Sequence, residues 1–420
     1  MGYGVHGHSA GNTSGTRAHR LRTGVAGLFG IATTAVLVAG CTSHGGGSNA
    51  SGAAGGGGSA SGSNGPSVTV SVTPAAQQQV SPTTPIVVKA AGGTLDKVTV
   101  TNAAKGTSVK GTLSADKTSW TSAEPLGYGS KYNVVADAKD PSGKSTEQKS
   151  EVDTLAPAQQ ANPNMIPAPG SVASTGIGVG QPIVFQFSAP VKNKAAVQKL
   201  LTVKSNPPQP GAWYWIDDKN VHYRPEVYWK PGTTITVTAK VYGVDFGGGV
   251  WGAEDRTETY HVHDSWIGKA DGKSEQMQIF HNGAMVKTMP VSMGKGSTPT
   301  HLGPHVISFK KQDYIMDSCT YGVCSGPDHY RSHEFWSNRI SNDGEFVHEN
   351  PNSVGAQGNS NVSHGCINLN QSNAEWFYSH FGIGDVVEVT NSGGKQLPLW
   401  DLYGDWEVPW SQWSKGNATS

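Results

Sequence analysis

The first part of the chain alternates apolar and polar residues with a period of two. Every second residue of Val68–Val72 is valine, and turn residues such as Gly92 and Gly93 separate the later stretches. Further stretches of this kind lie at 85–89, 97–101 and 132–136. Such alternation is typical of strands with one buried face. About ninety residues of this pattern predict a small β-sandwich over 67–155.

The same pattern continues over residues 156–263. The strand candidates are 180–187, 213–216, 221–224 and 233–238. This stretch also holds Trp213, Trp215, Tyr223 and Trp229. We interpret these aromatic residues as the core of a second sandwich, because large rings are costly to expose. A carbohydrate-binding platform is the alternative.

Residues 264–393 again read mainly as strands, with one main helix. The strand candidates are 276–280, 286–291, 303–308 and 386–389. A helix is predicted over 370–380, with Asn370 or Ser372 as its N-cap. The C-terminal extension, 394–420, contains Trp400, Trp406, Trp410 and Trp413. We expect it to pack back on the rest of the protein, with a sugar-binding strip as the alternative.

Composition and the N-terminus indicate export. Charged residues make up 15% of the 420 residues and the formal net charge is zero, so nothing in the composition suggests a nucleic-acid-binding protein, which would need a basic face. Residues 1–41 combine an arginine-containing start, an apolar stretch at Val25–Val38 that is too short for a membrane span, and Leu37–Cys41. Leu37–Cys41 resembles a bacterial lipobox, which implies lipidation of Cys41. Ordinary signal cleavage is the alternative.

The lipobox places the mature protein on the outer face of the cytoplasmic membrane, in contact with the cell wall, because two or more acyl chains anchor a protein stably. Residues 42–66 are rich in Gly, Ser and Ala. Such a composition cannot bury enough apolar surface to order itself. We therefore read 42–66 as a flexible linker between the lipid anchor and the first sandwich.

Cys366 and His348 form the strongest candidate for chemistry. Cys366 follows Gly365 in Ser363–Leu369, and His348 lies eighteen residues upstream (366 minus 348). A thiol attacks carbonyls well only as thiolate, and a nearby imidazole can take its proton. A buried structural cysteine and an unrelated histidine would look the same in the sequence. The surrounding residues must therefore distinguish a catalytic pair from this alternative.

The surrounding sequence closely resembles the catalytic core of L,D-transpeptidases, the YkuD-type enzymes that cross-link cell walls. The resemblance is carried by His348–Leu369 and by four further stretches in the same order. These are Pro290–Lys295, Ser297–Thr300, Met316–Val323 and Gly404–Trp410. The resemblance implies a mainly β chain: two Ig-like β-sandwich domains, 67–155 and 156–263, and a YkuD-type β-sandwich catalytic domain, 264–393, before the Trp-rich extension.

The resemblance also implies roles for individual residues. Cys366 is the nucleophile and His348 its base, oriented by the backbone carbonyl of Glu349, whose carboxylate either raises the pKa of the imidazole or faces solvent. Backbone N–H groups of Gly365 and Cys366, with the Tyr330 hydroxyl, would stabilise the oxyanion. Met316, Tyr330 and Trp336 would wall the substrate channel beneath a lid at 313–335.

The neighbours of Cys366 are secondary candidates for substrate binding. Ser363 and His364 flank the nucleophile and are interpreted as holding the strand and turn, with substrate contact or acid–base chemistry as the alternative. Asn368 occupies a position where many members of the family carry Arg, although Asn also occurs there. His301 and His305 lie on a predicted strand edge, and we assign them no role.

The cysteine count predicts a disulfide in the lid. Of four cysteines, Cys41 is a lipidation candidate and Cys366 must be free to react. In an oxidising compartment the remaining pair, Cys319 and Cys324, is expected to bridge. A zinc site formed by these two with His329 and His333 is the alternative.

The expected activity is L,D-transpeptidation of peptidoglycan stem peptides. By resemblance, Cys366 forms a thioester with one stem, D-Ala leaves, and an amine of a second stem resolves the thioester into a 3→3 cross-link. The chemistry requires no cofactor, and carbapenem β-lactams should acylate the same thiolate. The alternatives are an L,D-carboxypeptidase, with water as acceptor, and a non-catalytic wall-anchoring lipoprotein.

Overall fold

The computed structural model describes residues 67–76, 78–401 and 403–418. The predicted signal segment (1–41), its lipidation candidate Cys41 and the linker (42–66) lie outside the described residues. Within the described part of the chain, no helix has the length and apolarity needed to cross a membrane. The described residues are mainly β, which confirms the predicted fold class.

The first sandwich consists of two four-stranded sheets, with strand orders β1-β3-β6-β5 and β2-β8-β7-β4. Its strands are β1 (Thr69–Thr73), β2 (Gln79–Val80), β3 (Val87–Ala91), β4 (Thr94–Asn102), β5 (Gly111–Leu113), β6 (Ser119–Ser122), β7 (Lys131–Lys139) and β8 (Ser145–Thr154). Every second residue of β7 is buried, as alternation predicts. Val88, Val100, Trp120 and Val134 from both sheets form the core between them.

The second sandwich contains sheets of order β10-β11-β14-β13 and β12-β15-β18, beside a small sheet β16-β17-β9. Its elements are β9 (Gln159–Ala161), β10 (Pro163–Ile166), β11 (Ile183–Phe187), α1 (Lys194–Gln198), β12 (Leu201–Asn206), β13 (Gly211–Trp215), β14 (Asn220–Pro225), β15 (Thr234–Ala239), β16 (Asp245–Gly247), β17 (Val250–Gly252) and β18 (Arg256–His261). Trp213, Trp215, Tyr223 and Trp229 are all buried in its core, which confirms the core interpretation.

The third unit packs a five-stranded sheet, β21-β20-β19-β27-β22, with a four-stranded sheet, β23-β24-β25-β26. Its elements are β19 (Trp266–Asp271), β20 (Gln276–His281), β21 (Ala284–Pro290), β22 (Gly303–Val306), β23 (Phe309–Asp317), β24 (Arg331–Arg339), β25 (Phe346–Glu349), β26 (Ile367–Leu369), α2 (Gln371–His380) and β27 (Val386–Thr390). Residues of both sheets, including Ile279, Val347 and Val387, share one core with Phe377 of α2.

Helix α2 follows β26 directly and is the longest described helix. Asn370 is its N-cap, and its side-chain oxygen accepts a hydrogen bond from the backbone N–H of Asn373 at 3.0 Å. Capping of this kind satisfies one of the free N–H groups of the first turn. Of the two predicted caps, Asn370 is therefore correct and Ser372 lies inside the helix.

The C-terminal extension packs on the second sandwich. Arg224 of β14 lies over the rings of Trp406, Trp410 and Trp413, with its guanidinium carbon 4.6 to 5.6 Å from the ring centres. Short α3 (Trp410–Trp413) brings the indole N–H of Trp413 to the carbonyl oxygen of Ala212 at 2.9 Å. The expected packing is confirmed for these three tryptophans. Trp400 differs, because 68% of its surface is exposed.

Candidate active site

The candidate site lies at the ends of β25 and β26, which pair in parallel with His348 opposite Asn368. Cys366 directly precedes β26. Gly365 has φ of +124°, a conformation that glycine adopts without strain, and this turn sets Cys366 at the start of the strand. A cavity of about 330 Å³ opens over these ends. Among its lining residues are Met316, Tyr330, Ser332, Glu334, His348, Ser363, His364, Cys366 and Asn368.

Cys366 and His348 are brought together as a pair. Both are buried, with 7% and 3% of their surfaces exposed. The imidazole of His348 lies close enough to Cys366 for the thiol to raise the pKa of the histidine. The Cys366 Sγ also lies 3.6 Å from the carbonyl oxygen of Gly344. Of the cysteines in the described part of the chain, Cys366 alone is free of a disulfide.

Two oxygens hold the other side of the imidazole. His348 Nδ1 lies 2.6 Å from the backbone carbonyl oxygen of Glu349, the contact that the resemblance implied. It also lies 3.2 Å from Oε2 of Glu334. Because Nδ1–H donates to these oxygens, Nε2 is left for the thiol. The arrangement is a Cys–His pair with an added carboxylate.

Glu334 was not among the predicted site residues. It lies on β24, on the face that also carries Ser332, and both line the cavity with Tyr330. Side chains two residues apart on a strand share a face. The position of Tyr330 in the predicted site could therefore have pointed to Glu334, provided the strand continued without interruption.

The electrostatics favour the charged imidazolium form of His348. Burial lowers the pKa of His348, but its interactions with Cys366 and Glu334 outweigh burial and raise the pKa to about 10. Burial raises the pKa of Glu334, and the contact with His348 more than compensates, so that the pKa is lowered. Each partner thus stabilises the charged form of the other.

The Glu349 carboxylate is not among the groups that raise the pKa of His348. Burial, followed by repulsion from Glu334, raises the pKa of Glu349. The contact with His348 comes from the backbone of Glu349, while Glu334 provides the carboxylate. The charge effect that we considered for Glu349 therefore belongs to Glu334.

The predicted oxyanion donors differ in availability. The N–H of Gly365 donates to Ser363 Oγ at 3.1 Å, so this donor is already used and the prediction for it needs correction. The N–H of Cys366 has no hydrogen-bond partner within the described residues. Tyr330 faces the cavity, where burial and then the charge of Cys366 raise the pKa of its phenol. Cys366 N–H and the Tyr330 hydroxyl remain as donors.

The other predicted residues hold or line the cavity. Ser363 Oγ donates to the carbonyl oxygen of Cys366 at 2.6 Å, which gives Ser363 a structural role in the turn. The His364 ring lies 5.5 Å from that of Tyr330. Met316 is buried in the cavity wall. The side-chain oxygen of Asn368 is buried without a hydrogen-bond partner within the described residues, and Asn368 lines the cavity.

Trp336 does not line the cavity, contrary to the prediction. Its ring packs 5.5 Å from that of Tyr378 on α2. Trp336 has φ of +53°, and the pairing of β23 with β24 skips this position. The register of the two strands is unchanged around Trp336, so the positive φ is a local break in the extended backbone, and such a break re-aims the side chain. Trp336 therefore contacts the helix instead of the substrate cavity.

The predicted lid coincides with the connection between β23 and β24. In the structure Cys319 and Cys324 are joined by a disulfide there. They are thus bonded to each other and unavailable as zinc ligands. The two histidines of the zinc alternative have other partners, since His329 Nδ1 lies 3.0 Å from Ser318 Oγ and His333 contacts Asp313.

Comparison with known proteins identifies two parts of the chain. Residues 77–245 match the family model of a bacterial Ig domain. Residues 267–389 match that of the YkuD L,D-transpeptidase catalytic domain. The second match contains Cys366, His348 and Glu334.

Relatives from Mycobacterium tuberculosis extend this similarity over most of the chain. L,D-transpeptidase 2 of strain CDC 1551 / Oshkosh is 42% identical over 354 residues, covering 84% of this chain and 85% of the relative. L,D-transpeptidase 5 of strain H37Rv is 37% identical over 346 residues, covering 81% and 74%. Among solved structures, an L,D-transpeptidase in complex with imipenem covers 54% of this chain at 31% identity, with a TM-score of 0.47.

Proposed function

This chain belongs to the L,D-transpeptidase family, and we propose that it joins peptidoglycan stem peptides by 3→3 cross-links through a thioester on Cys366. The observation that carries the proposal is the buried imidazole of His348, which lies beside Cys366 on one side and contacts the backbone carbonyl of Glu349 and the carboxylate of Glu334 on the other. Such a pair supplies the thiolate that acyl transfer needs.

The first half-reaction acylates the enzyme. The Cys366 thiolate attacks the carbonyl carbon of the diaminopimelyl–D-Ala bond of a tetrapeptide stem. The developing oxyanion accepts hydrogen bonds from Cys366 N–H and the Tyr330 hydroxyl. His348 then gives its proton to the D-Ala nitrogen, the C–N bond breaks, and a thioester remains as D-Ala leaves.

The second half-reaction transfers the acyl group. The side-chain amine of a second stem attacks the thioester carbonyl, and neutral His348 takes the proton that the amine releases. The C–S bond breaks and the thiolate–imidazolium pair is restored. One amide bond is broken and another formed, so no external energy source is needed. Water in place of the amine would give a carboxypeptidase.

Carbapenems should acylate the same thiolate. Their strained β-lactam amide presents a carbonyl carbon to Cys366, and opening of the ring leaves a thioester. The cavity of about 330 Å³ is within the size range of small-molecule sites.

We place the enzyme on the outer face of the cytoplasmic membrane, anchored by lipid on Cys41. The support is the arginine-containing start, the apolar stretch Val25–Val38 and the residues preceding Cys41. The Gly/Ser-rich linker and the two sandwiches would then carry the active site into the wall.

Product analysis tests the activity. The full chain, solubilised in detergent, is incubated with a disaccharide-tetrapeptide. The masses of the products are measured by mass spectrometry and compared with those from Cys366→Ala. We expect a dimer that lacks one D-Ala from the wild type alone. A tripeptide without dimer would replace the transpeptidase with a carboxypeptidase. The same products from Cys366→Ala would remove Cys366 from the mechanism.

A further inference from the structure

A buried hydroxyl group connects the turn before the nucleophile to the stretch Ser297–Thr300. Thr300 is fully buried. Its Oγ1 donates a hydrogen bond to the carbonyl oxygen of Gly365 at 2.8 Å and accepts one from the backbone N–H of Gly294 at 3.0 Å. Thr300 is not among the residues that line the cavity over Cys366. Any effect of this hydroxyl on the reaction must therefore act through the backbone of Gly365.

The carbonyl that Thr300 holds belongs to the same peptide group as a proposed oxyanion donor. The peptide bond between Gly365 and Cys366 is trans, since the cis bonds of the described residues all precede proline. A peptide group is planar, and in its trans form the C=O and N–H bonds point in opposite directions. The hydrogen bond to the Gly365 oxygen therefore fixes the direction of the Cys366 N–H, which has no partner of its own within the described residues.

Thr300 is the one side chain that contacts this peptide group within the described part of the chain. Ser363 Oγ contacts the two neighbouring peptide groups, through the N–H of Gly365 and the carbonyl oxygen of Cys366. Gly365 has φ of +124°, and glycine has the widest choice of backbone conformations. Without the Thr300 hydroxyl, the peptide group would be free to turn and the Cys366 N–H would lose its fixed direction.

The position of Thr300 is itself fixed by its neighbours. Its carbonyl oxygen accepts a hydrogen bond from Ser392 Oγ at 2.6 Å. The next residue, His301, donates its backbone N–H to Oε1 of the buried Glu345 at 2.8 Å. Gly294 packs so closely that a side-chain carbon there would lie 2.5 Å from the Thr300 nitrogen. A donor aimed in advance by such contacts needs no reorganisation when charge develops in the transition state.

We propose that Thr300 is a positioning residue for acyl transfer, because its hydroxyl aims the Cys366 N–H at the oxyanion of the tetrahedral intermediate. The inference rests on the proposed function, since it assigns Thr300 a part in the acylation of Cys366. Thr300 exchanges no proton with the substrate, so the bonds made and broken stay as described above. A group displaced by 1 Å can cost about 10²-fold in rate, which is close to the cost of about 10²–10³ for a missing oxyanion donor.

The experiment compares Thr300→Val with Thr300→Ser in the full chain, solubilised in detergent. Valine has nearly the shape of threonine but no hydroxyl, whereas serine keeps the hydroxyl and loses a methyl group. Thr298→Val is the matched control, because the Thr298 hydroxyl also donates to a carbonyl of this turn, that of Ser363, at 3.2 Å. The Ser363 carbonyl keeps the N–H of Lys295 at 2.9 Å as a partner, and its peptide group does not contain the oxyanion donor.

Two reactions of Cys366 are followed on each protein by mass spectrometry with peptide mapping. Acylation by a disaccharide-tetrapeptide passes through an oxyanion. Alkylation by iodoacetamide does not, because the thiolate forms a bond to a saturated carbon and iodide leaves. The alkylation rate therefore reports on the thiolate, and the ratio of the two rates isolates the oxyanion donor. A purely structural role of Thr300 would slow both reactions together.

We expect Thr300→Val to be acylated about 10²-fold more slowly than the wild type, with its alkylation rate unchanged. Thr300→Ser and Thr298→Val should match the wild type in both reactions. The proposal is overturned if Thr300→Val is acylated at the wild-type rate or is slowed equally in both reactions. It is also overturned if Thr300→Ser is acylated as slowly as Thr300→Val.

A crystal structure of the wild type acylated by a carbapenem tests the same point if Thr300→Val does not fold. The acyl oxygen should lie within hydrogen-bond distance of the Cys366 nitrogen, and Thr300 Oγ1 should still contact the Gly365 carbonyl. An acyl oxygen held only by other donors would overturn the proposal. A wild type that is alkylated but not acylated would contradict the proposed function and this inference with it, whereas normal acylation of both the wild type and Thr300→Val would contradict the inference alone.

Discussion

Replacing Glu334 with glutamine tests whether a carboxylate raises the pKa of His348, the proposed catalytic base. Glu334 Oε2 lies 3.2 Å from His348 Nδ1, and only 13% of the Glu334 side chain is exposed. Glutamine has nearly the same shape and keeps an oxygen that can accept from Nδ1–H. The substitution therefore removes the charge while retaining the hydrogen bond.

The magnitude follows from the separation of the two groups. For two unit charges at this distance, an effective dielectric constant of 20 gives about 5 kcal/mol, which is an upper bound for the change. Opposite charges this close typically change a pKa by about 1–3. The pKa of His348, about 10 in the wild type, should thus fall to about 7–9 in Glu334→Gln.

The direction of the pH effect is defined by the proton on His348. Acylation needs the imidazolium to protonate the leaving group, so activity is lost as pH rises through the pKa of His348. The alkaline limb of the profile should move from near pH 10 down to about pH 7–9. If the variant pKa is about 8, the rate at pH 9 should fall about tenfold.

The assay is the rate of acylation by a disaccharide-tetrapeptide between pH 5 and about 10.5, followed by intact-protein mass spectrometry. Glu375→Gln is the matched control, because Glu375 is an exposed carboxylate on α2 that is not among the groups acting on His348. Its profile should match that of the wild type. If the alkaline limb of Glu334→Gln coincides with those of the wild type and Glu375→Gln, the role assigned to Glu334 is refuted.

Three further predictions concern the site and its support. Tyr330→Phe should slow acylation by about 10²-fold, because one oxyanion donor is lost; stopped-flow rates equal to wild type would exclude the hydroxyl. Asn370→Ala should lower the free energy of unfolding by about 1 kcal/mol, measured in urea, with Ser372→Ala nearly neutral; equal losses would contradict the assigned cap. Glu345 has a pKa lowered to about 2, since its contacts with His301 and His305 outweigh burial. It should stabilise the fold by up to about 3 kcal/mol above pH 4.5, and this is lost as pH falls toward 2. Urea titrations should show a weaker acid dependence in Glu345→Gln, and an unchanged dependence would count against the contact.

Local patterns in the sequence predicted most of the fold. The alternation in Lys131–Lys139 gives β7 its buried face, and the aromatic residues of β13 and β14 are core because their strands face inward. Both features depend on neighbours along the chain. The N-cap at Asn370 also depends on neighbouring residues. The sequence could not distinguish Asn370 from Ser372 as the N-cap, because the first residue of the helix was not known.

The errors at the site arise from a local change of backbone conformation and from long-range contacts. Trp336 leaves the cavity because its φ of +53° breaks the extended backbone of β24, and no residue type in that stretch predicts this break. Glu334 reaches His348 only through the pairing of β24 with β25. The carboxylate of Asp401 accepts a hydrogen bond from the backbone N–H of Asn342 across more than fifty residues of chain, beyond the reach of any local pattern.

The most direct test of the central claim is intact-protein mass spectrometry of the full chain with a carbapenem. We expect the wild type to gain one adduct with the mass of the carbapenem. Peptide mapping should locate this adduct at Cys366, and Cys366→Ala should not form it. We also expect a much slower adduct in His348→Gln, which lacks the proton acceptor. An adduct on Cys366→Ala, or none on the folded wild type, would contradict the assignment of Cys366 as the nucleophile.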